Sequence, residues 1–198
     1  ALFASIISPQ DPYDLAKLSL MDSRRPPGFV GSGGYTHLLG TDPQGRDLLS
    51  AIFYGLRISI QIGLAAGLVS LTIGTALGIT AAYVGGRIEA LIMRLIDLQL
   101  SFPAILLALV IVALLGQGKV QLISALVAAQ YAYFARTAYG AAKAERGKDY
   151  IEAALATPLS GRLVVMRHLL PNCMPPLIVV ATVQIANSIS LEATLSFL

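Results

Sequence analysis

The chain has 198 residues, of which 56% are hydrophobic and 13% are charged, whereas soluble domains carry roughly 25% charged residues. This composition excludes an ordinary water-soluble globule. The net charge is +3, but the Lys and Arg residues lie between apolar stretches and form no basic patch interleaved with aromatic residues, which argues against nucleic-acid binding. The single cysteine, Cys173, cannot form an intramolecular disulfide bond.

The apolar residues form stretches without a charged residue that can cross a bilayer as helices. A transmembrane helix needs about 20 predominantly apolar residues. The stretches cover residues 58–86, 98–118, 120–135 and 169–191. We therefore predict an all-α polytopic membrane protein in which four spanning helices follow the first loop.

The chain begins with an apolar segment and a long polar segment. Residues 1–8 are too short to span the membrane, and we expect them to be the end of a truncated first transmembrane helix. Residues 9–56 are rich in proline, glycine and charge, which is typical of an aqueous loop because lipid cannot hydrogen-bond irregular backbone. Asp47 is expected to cap a short interfacial helix at the end of this loop. Residues 57–198 are the predicted transmembrane core, which stops while still apolar, so we expect truncation at both ends.

The first complete span carries four glycines on one helical face. At 100° per residue, Gly63, Gly67, Gly74 and Gly78 fall within about 60° of each other. Small residues at such spacing let helices approach closely in lipid. We predict that this face packs on another helix rather than contacting a solute.

The next two helices are separated by a proline and a short polar stretch. The first is expected to begin near Arg87 and to bend at Pro103, since proline lacks the amide hydrogen that a helix interior uses. The second is predicted from Val120 to about Ala142. Eight basic residues lie on the side of residues 136–168 and six on the side of the long loop, which places residues 136–168 in the cytoplasm.

Residues 143–172 have the pattern of two short helices. The first starts at Asp149 and is stopped by Pro158, and Ser160 can cap a second helix that Pro171 ends. Such a part-apolar, part-charged pair is typical either of a docking surface for a soluble partner or of a stiff connector.

The last apolar stretch carries a polar stripe. Gln184, Ser188 and Glu192 recur every four residues, and Asn187 lies beside them. An acidic group at the bilayer centre costs roughly 2.5–3.5 kcal/mol, so Glu192 should face protein, water or an interface. The stripe indicates either a solute pathway or a carboxylate that satisfies backbone donors at a helix bend near the outer interface.

The sequence shows no pattern for catalysis or for metal binding. His37 and His168 fall in loops on opposite sides, and no Cys or His cluster has metal-ligand spacing. No span contains a histidine for an intramembrane protease, and there is no P-loop. We predict that this chain is not an enzyme and binds no metal or cofactor itself, so that any nucleotide-driven work is powered by another chain.

Three motifs resemble the permease subunits of ABC importers. The EAA of residues 152–154, followed by Leu170 and Pro171, resembles the EAA loop of such permeases, with Pro158 where the family has a glycine. HLLGTDPQGRDLLS at 37–50 and EATLSFL at 192–198 resemble signatures of the dipeptide/oligopeptide/nickel permeases, C-type subunit.

The resemblance implies the transmembrane domain of a type I ABC importer in the bacterial cytoplasmic (inner) membrane. Such a chain would form half of a pathway for di- and oligopeptides, or alternatively for nickel or another small solute. The implied partners are a second permease subunit in a heterodimer, two ATP-binding subunits that use ATP and Mg²⁺, an extracytoplasmic solute-binding protein and the lipid bilayer. Residues 9–56 would be extracytoplasmic.

The resemblance also implies which residues couple to the ATPase. They lie in the cytoplasmic loop 143–172 and are Glu152, Ala153, Ala154, Pro158, Arg162, Leu170 and Pro171. An ion-coupled secondary transporter is a further alternative, but it would be expected to carry ionisable groups in several spans. Here the complete spans carry almost none.

Overall fold

The computed structural model describes residues 4–8, 10–14, 18–156 and 160–197. These residues form an all-α membrane protein with one short hairpin. The helices are α1 (Ala4–Ile7), α2 (Leu48–Val84), α3 (Gly86–Leu100), α4 (Ala104–Leu115), α5 (Lys119–Arg146), α6 (Asp149–Ala156), α7 (Gly161–Val164) and α8 (Leu170–Phe197), with a 3₁₀ turn at Leu20–Asp22 and a π-helical turn at Val165–Leu169. The chain divides into two compact units, Ala1–Gln61 and Ile62–Leu198.

The first unit is irregular backbone around one hairpin. Strand β1 (Phe29–Val30) pairs antiparallel with β2 (Thr36–His37). Gly45 has a φ of +76°, and a Cβ there would lie 2.1 Å from the Ser19 carbonyl oxygen. Only glycine fits at this position, because the two backbone segments approach each other so closely.

Helix α2 begins where the sequence predicts a helix cap. The Ser50 amide donates a hydrogen bond to Asp47 Oδ2 at 2.7 Å, which satisfies an amide that has no intrahelical partner. The capping role predicted for Asp47 is therefore confirmed. The expected short interfacial helix and the first span form a single helix that continues to Val84.

The described residues contain fewer candidate spans than the four that the sequence predicts. Two helical stretches are long and apolar enough to cross a membrane, and they are Leu48–Val84 and Gly161–Phe197. Helices α3 and α4 are long and apolar enough only when they are taken together, and they are bent by 91° relative to each other. The predicted break at Pro103 is confirmed at this bend. Helix α5 does not meet the same criterion, because its glutamines, its tyrosines and the charges of its last turns lower its mean hydropathy.

The second unit is built around α5, which packs against α8, α4 and α3. Its buried face consists mostly of alanines, which bring the neighbouring helices close. One core cluster joins the ends of α2, α5 and α8, and its largest members are Phe134, Leu169 and Leu177. A second cluster packs Met93 and Ile96 of α3 against alanines of α2 and α5.

The four glycines of α2 face two different helices. A Cβ at Gly63 would lie 2.6 Å from the Ile189 side chain of α8. A Cβ at Gly74 or Gly78 would lie 2.4 or 2.3 Å from a backbone carbonyl oxygen of α5. The stripe, which is continuous in sequence, is therefore divided between α8 and α5.

The prediction that Pro171 ends a second short helix is wrong. The chain is helical from Gly161 to Phe197. Pro171 lies in the first turn of α8, directly after the π-helical turn. In a regular α-helix its ring would clash with the carbonyl group four residues earlier, that of Arg167. Arg167 lies in the wider π-helical turn, so the helix continues through the proline with the loss of one backbone hydrogen bond. Ser160 occupies the predicted N-cap position, but its side chain makes no capping hydrogen bond. Pro158 lies outside the described residues.

Candidate functional site

The EAA segment, defined here as residues 149–156 and 160–172, is fixed to the second unit by buried apolar side chains. Ile151, Val164 and Leu169 are each no more than 2% exposed. Leu169 belongs to the core cluster at the ends of α2, α5 and α8. The segment is thus held by packing, and its outer face has a defined position.

The outer face of the EAA segment carries most of the residues predicted to couple to an ATPase. Glu152, Ala153, Arg162 and Pro171 are exposed, whereas Ala154 and Leu170 are partly buried. Glu152 lies in the first turn of α6, where a carboxylate interacts favourably with the helix dipole. Within the described residues, no cation lies within ion-pair distance of Glu152, so its charge is available to a partner.

A hydrogen-bond network braces the turn between α5 and α6. The Tyr150 hydroxyl donates to Glu145 Oε2 at 2.5 Å, and Lys148 Nζ donates to Glu145 Oε1 at 2.6 Å. The hydrogen bond to the Glu145 carboxylate raises the pKa of Tyr150 to about 12. Glu145 therefore has a structural partner on each carboxylate oxygen.

The last residue of α5 and the EAA segment both contact the C-terminal end of α2. Arg146 Nη1 donates to the Ala82 carbonyl oxygen at 2.8 Å, and its guanidinium lies 5.8 Å from the centre of the Tyr83 ring. A cation at a helix C-terminus is favourable because the carbonyl groups there carry partial negative charge. A Cβ at Gly161 would lie 2.4 Å from the Tyr83 hydroxyl. Sequence reasoning missed this contact, because Gly161 and Tyr83 belong to different predicted elements.

A polar groove runs between α5, α8 and the start of α4. Its volume is about 330 Å³. It is lined by Ala104, Gln130, Tyr133, Gln184, Asn187, Ser190 and Leu191. Two of the four residues predicted to line a pathway, Gln184 and Asn187, therefore line this groove.

The other two residues of the predicted stripe are turned into the protein. Ser188 is fully buried and donates to Gln130 Oε1 at 2.8 Å, and its hydroxyl also lies 2.9 Å from the Gln184 carbonyl oxygen. Glu192 is 5% exposed and accepts a hydrogen bond from Ser196. Its Oε2 has no hydrogen-bond partner among the described residues. The structure thus keeps Gln184 and Asn187 together in the groove and separates them from the buried side chains of Ser188 and Glu192.

Gln130 lines the groove, and the sequence analysis does not identify it. It is 1% exposed, and Ser188 binds its amide oxygen. Its amide nitrogen has no hydrogen-bond partner in the described part of the chain. A lone glutamine in an apolar stretch gives no signal in the sequence, because its neighbours on α8 are more than 50 residues away.

The HLLGTDPQGRDLLS motif is a structural element of the first unit. His37 Nδ1 lies 3.0 Å from Asp47 Oδ1, and both side chains are buried. The rings of Phe29 and Tyr35 pack on the His37 ring. In the same unit, hydrogen bonds from the Ser32 side chain and backbone lower the pKa of Asp22. Across the described residues, no group of three or more His, Cys, Asp or Glu side chains is placed to hold a metal ion.

Comparisons with known proteins show that the amino-acid sequence is similar to those of membrane transport components. Residues 74–198 match the family described as binding-protein-dependent transport system inner membrane component. The di/tripeptide transport system permease protein DppC of Pseudomonas aeruginosa (strain UCBPP-PA14) is 38% identical over 198 residues, which is 100% of this chain and 64% of the relative. The dipeptide transport system permease protein DppC of Haemophilus influenzae is 35% identical over the whole chain and 66% of the relative.

A third relative is named for a different substrate, glutathione. The glutathione transport system permease protein GsiD of Pectobacterium atrosepticum is 37% identical over 162 residues, which is 82% of this chain and 54% of the relative. The chain thus spans between about half and two thirds of the length of these relatives. The family match covers more than half of the chain, including the EAA segment and the polar groove. The chain therefore belongs to the family of bacterial inner membrane components of binding-protein-dependent transport systems.

Proposed function

We propose that this chain is a permease subunit of an ATP-driven importer and forms half of a translocation pathway for di- and oligopeptides. The proposal rests on the geometry of the EAA segment. Glu152 and Ala153 are exposed on its outer face, and the buried side chains of Ile151 and Leu169 anchor the segment to the rest of the second unit. An exposed, unpaired acid on a rigidly held helix suits docking to a basic site on a soluble ATPase. The names of the relatives support peptides as the substrate class.

The proposal includes the other components of such an importer. A second permease would complete the pathway, an extracytoplasmic binding protein would deliver the solute, and two ATP-binding subunits would use ATP and Mg²⁺. This chain would hydrolyse no ATP. The excess of basic residues on the side of the EAA segment supports a cytoplasmic location for it.

We further propose that α5 crosses the membrane together with α2, α8 and the bent pair α3 and α4. At 1.5 Å per residue, its 28 residues extend roughly 42 Å, which exceeds a hydrocarbon core of about 30 Å. Its polar side chain Gln130 is buried against α8, so contact with lipid is avoided despite the modest mean hydropathy of the helix.

Uptake by the complete complex in vesicles tests the function. The full-length permease would be purified with its second permease and ATPase subunits, reconstituted, and supplied with the binding protein and a radiolabelled dipeptide. We expect uptake that requires ATP and is insensitive to ion gradients. Uptake driven by an ion gradient without ATP would refute the proposal in favour of a secondary transporter.

Competition separates the peptide classes suggested by the relatives. Unlabelled dipeptides should compete with the labelled dipeptide, and glutathione should compete only if the binding protein also accepts it. Uptake of glutathione without uptake of dipeptides would restrict the substrate to that tripeptide, which the resemblance to the glutathione permease makes the second candidate.

A further inference from the structure

The break between α3 and α4 places a helix N-terminus beside the polar groove. Ala104, the first residue of the 12-residue helix α4, lines the groove. The N-cap residue is Pro103, which makes no side-chain capping hydrogen bond. The first amides of a helix have no intrahelical acceptor and carry partial positive charge. The amides of Leu106 and Leu107 already donate to the Pro103 carbonyl oxygen, so among the described residues the amides of Ala104 and Ile105 are the donors that α4 offers at this end of the groove.

The side-chain amide nitrogen of Gln130 is a second hydrogen-bond donor at the groove, and packing fixes its position. Gln130 lines the groove and is 99% buried, as its relative exposure is 1%. Ser188 binds the amide oxygen of Gln130, which leaves the amide nitrogen without a partner in the described residues. A buried donor without an acceptor is unfavourable, so a ligand that brings an oxygen acceptor would be favoured at this position.

The rest of the lining is uncharged and extends toward a second groove. Among the described residues, no Asp, Glu, Lys or Arg lines the polar groove, and Gln184 and Asn187 add carboxamide groups. Tyr133 and Gln184 also line a neighbouring groove of about 250 Å³, whose walls include three valines of α8 and Arg136. The two grooves together suit an extended ligand with backbone acceptors and variable side chains.

We propose that the polar groove holds backbone carbonyl oxygens or the terminal carboxylate of a peptide in transit. These oxygens accept hydrogen bonds from the amide nitrogen of Gln130 and from the first-turn amides of α4. This inference rests on the proposed function and deepens it by assigning a substrate contact within the membrane domain. Because these donors are carboxamide and backbone amide groups, the polar groove recognises the peptide backbone rather than a particular side chain.

Replacement of Gln130 by an apolar residue of similar size tests this assignment. Gln130→Met removes the donor, while the Ser188 hydroxyl retains the Gln184 carbonyl oxygen as its acceptor. In the full-length complex, we expect kcat/KM for dipeptide uptake to fall roughly three- to tenfold, as for loss of one hydrogen bond, with the second permease and ATPase still bound. Gln121→Met, on the same helix and outside the lining of the groove, is the matched control and should transport normally.

Thiol labelling gives a measurement that does not depend on the Gln130 variant. Asn187→Cys in a cysteine-free background places a thiol in the groove, and Thr182→Cys places one on α8 outside the lining. We expect an excess of dipeptide, delivered by the binding protein, to slow labelling of the first thiol by a small methanethiosulfonate and to leave the second unchanged.

The outcomes separate this inference from the proposed function. If the wild-type complex imports no peptide with ATP, the proposed function fails. If the wild type imports peptide and Gln130→Met does so equally well, only the groove assignment is overturned. Loss of pairing with the second permease in Gln130→Met, without peptide protection of Asn187→Cys, would assign the amide to the subunit interface and would also overturn it.

Discussion

The glycines of α2 provide a sharp test of the packing, because their surroundings differ. A Cβ at Gly78 would lie 2.3 Å from the Ala135 carbonyl oxygen and 2.8 Å from the Ala138 Cβ. Both atoms belong to the rigid, alanine-rich face of α5. The three atoms nearest to a Cβ at Gly67 all belong to the Ile185 side chain, the first at 2.6 Å, and this side chain can change rotamer.

The expected effect of Gly78→Ala follows from these distances. Carbon and oxygen atoms in contact lie more than 3 Å apart, so α2 and α5 would have to separate locally by about 1 Å. Overpacking of this kind costs about 1–3 kcal/mol. The intrinsic helix preference of alanine over glycine offsets roughly 0.5–1 kcal/mol of that cost. We predict a clear net loss of stability for Gly78→Ala and a smaller effect, of either sign, for Gly67→Ala.

Thermal unfolding in detergent, followed by far-UV circular dichroism, measures this difference. Gly55→Ala is the matched control, because Gly55 lies on the same helix and a Cβ there would meet no atom of the described residues within 4 Å. We expect Gly55→Ala to raise the apparent Tm and Gly78→Ala to lower it. An apparent Tm for Gly78→Ala equal to that of Gly55→Ala would refute the close approach of α2 to α5.

Three further predictions concern the EAA segment and the polar stripe. Glu152→Lys should leave the permease pair intact but weaken ATPase binding and abolish uptake, since loss of one partner of a buried charge pair costs about 2–5 kcal/mol, roughly 30-fold or more in affinity. Asp149→Lys, an exposed change in the same turn, should bind the ATPase normally in the same co-purification. Glu192→Gln should assemble, because its amide oxygen can still accept the hydrogen bond from Ser196, and Glu192→Leu, which loses that acceptor, should lower the yield of the complex. Gly161→Ala should lower the apparent Tm only slightly, because the Tyr83 hydroxyl at the end of its side chain can move away from the added Cβ, and a loss of Tm as large as that of Gly78→Ala would contradict this reasoning.

The structure changes which acid is a suitable control for Glu152. Glu145 lies outside the EAA motif and would be an obvious choice from the sequence. Its two carboxylate oxygens, however, accept hydrogen bonds from Lys148 and Tyr150. A charge reversal there would disturb the turn that positions α6, so a loss of coupling would not report on docking. Asp149 forms no ion pair among the described residues, so a charge reversal there leaves the Glu145 contacts in place and weakens only its own favourable interaction with the α6 dipole.

Features with a local cause could be predicted from the sequence. The bend at Pro103 follows from the missing amide hydrogen of proline, and the cap at Asp47 follows from a carboxylate preceding an apolar helical pattern. Pro171 shows the limit of the same rule. The sequence predicts that this proline ends a helix, but the helix continues through it, directly after a π-helical turn that replaces the regular geometry with which its ring would clash. Such a turn leaves no signature in a single sequence.

Features with a distant cause could not be predicted. Gln130 meets Ser188 across 58 positions in the chain, and Gly161 meets Tyr83 between helices of different predicted segments. The polar stripe was correctly identified as polar positions on one helix, but its division depends on where α5 lies. Only the packing determines that Gln184 and Asn187 face the groove while Ser188 faces Gln130. The coupling and pathway roles of these residues stay predictions.

The divided glycine stripe connects the packing of the second unit to the groove. Gly63 and Gly67 determine how closely α2 approaches α8, and Gly74 and Gly78 determine how closely it approaches α5. The same two helices supply most of the polar groove, with Gln130 and Tyr133 from α5 and Gln184 and Asn187 from α8. Helix α2 is therefore a common support behind the groove. A bulky residue on either half of the stripe would move one wall relative to the other, so the width of the groove depends on glycines that no solute needs to touch.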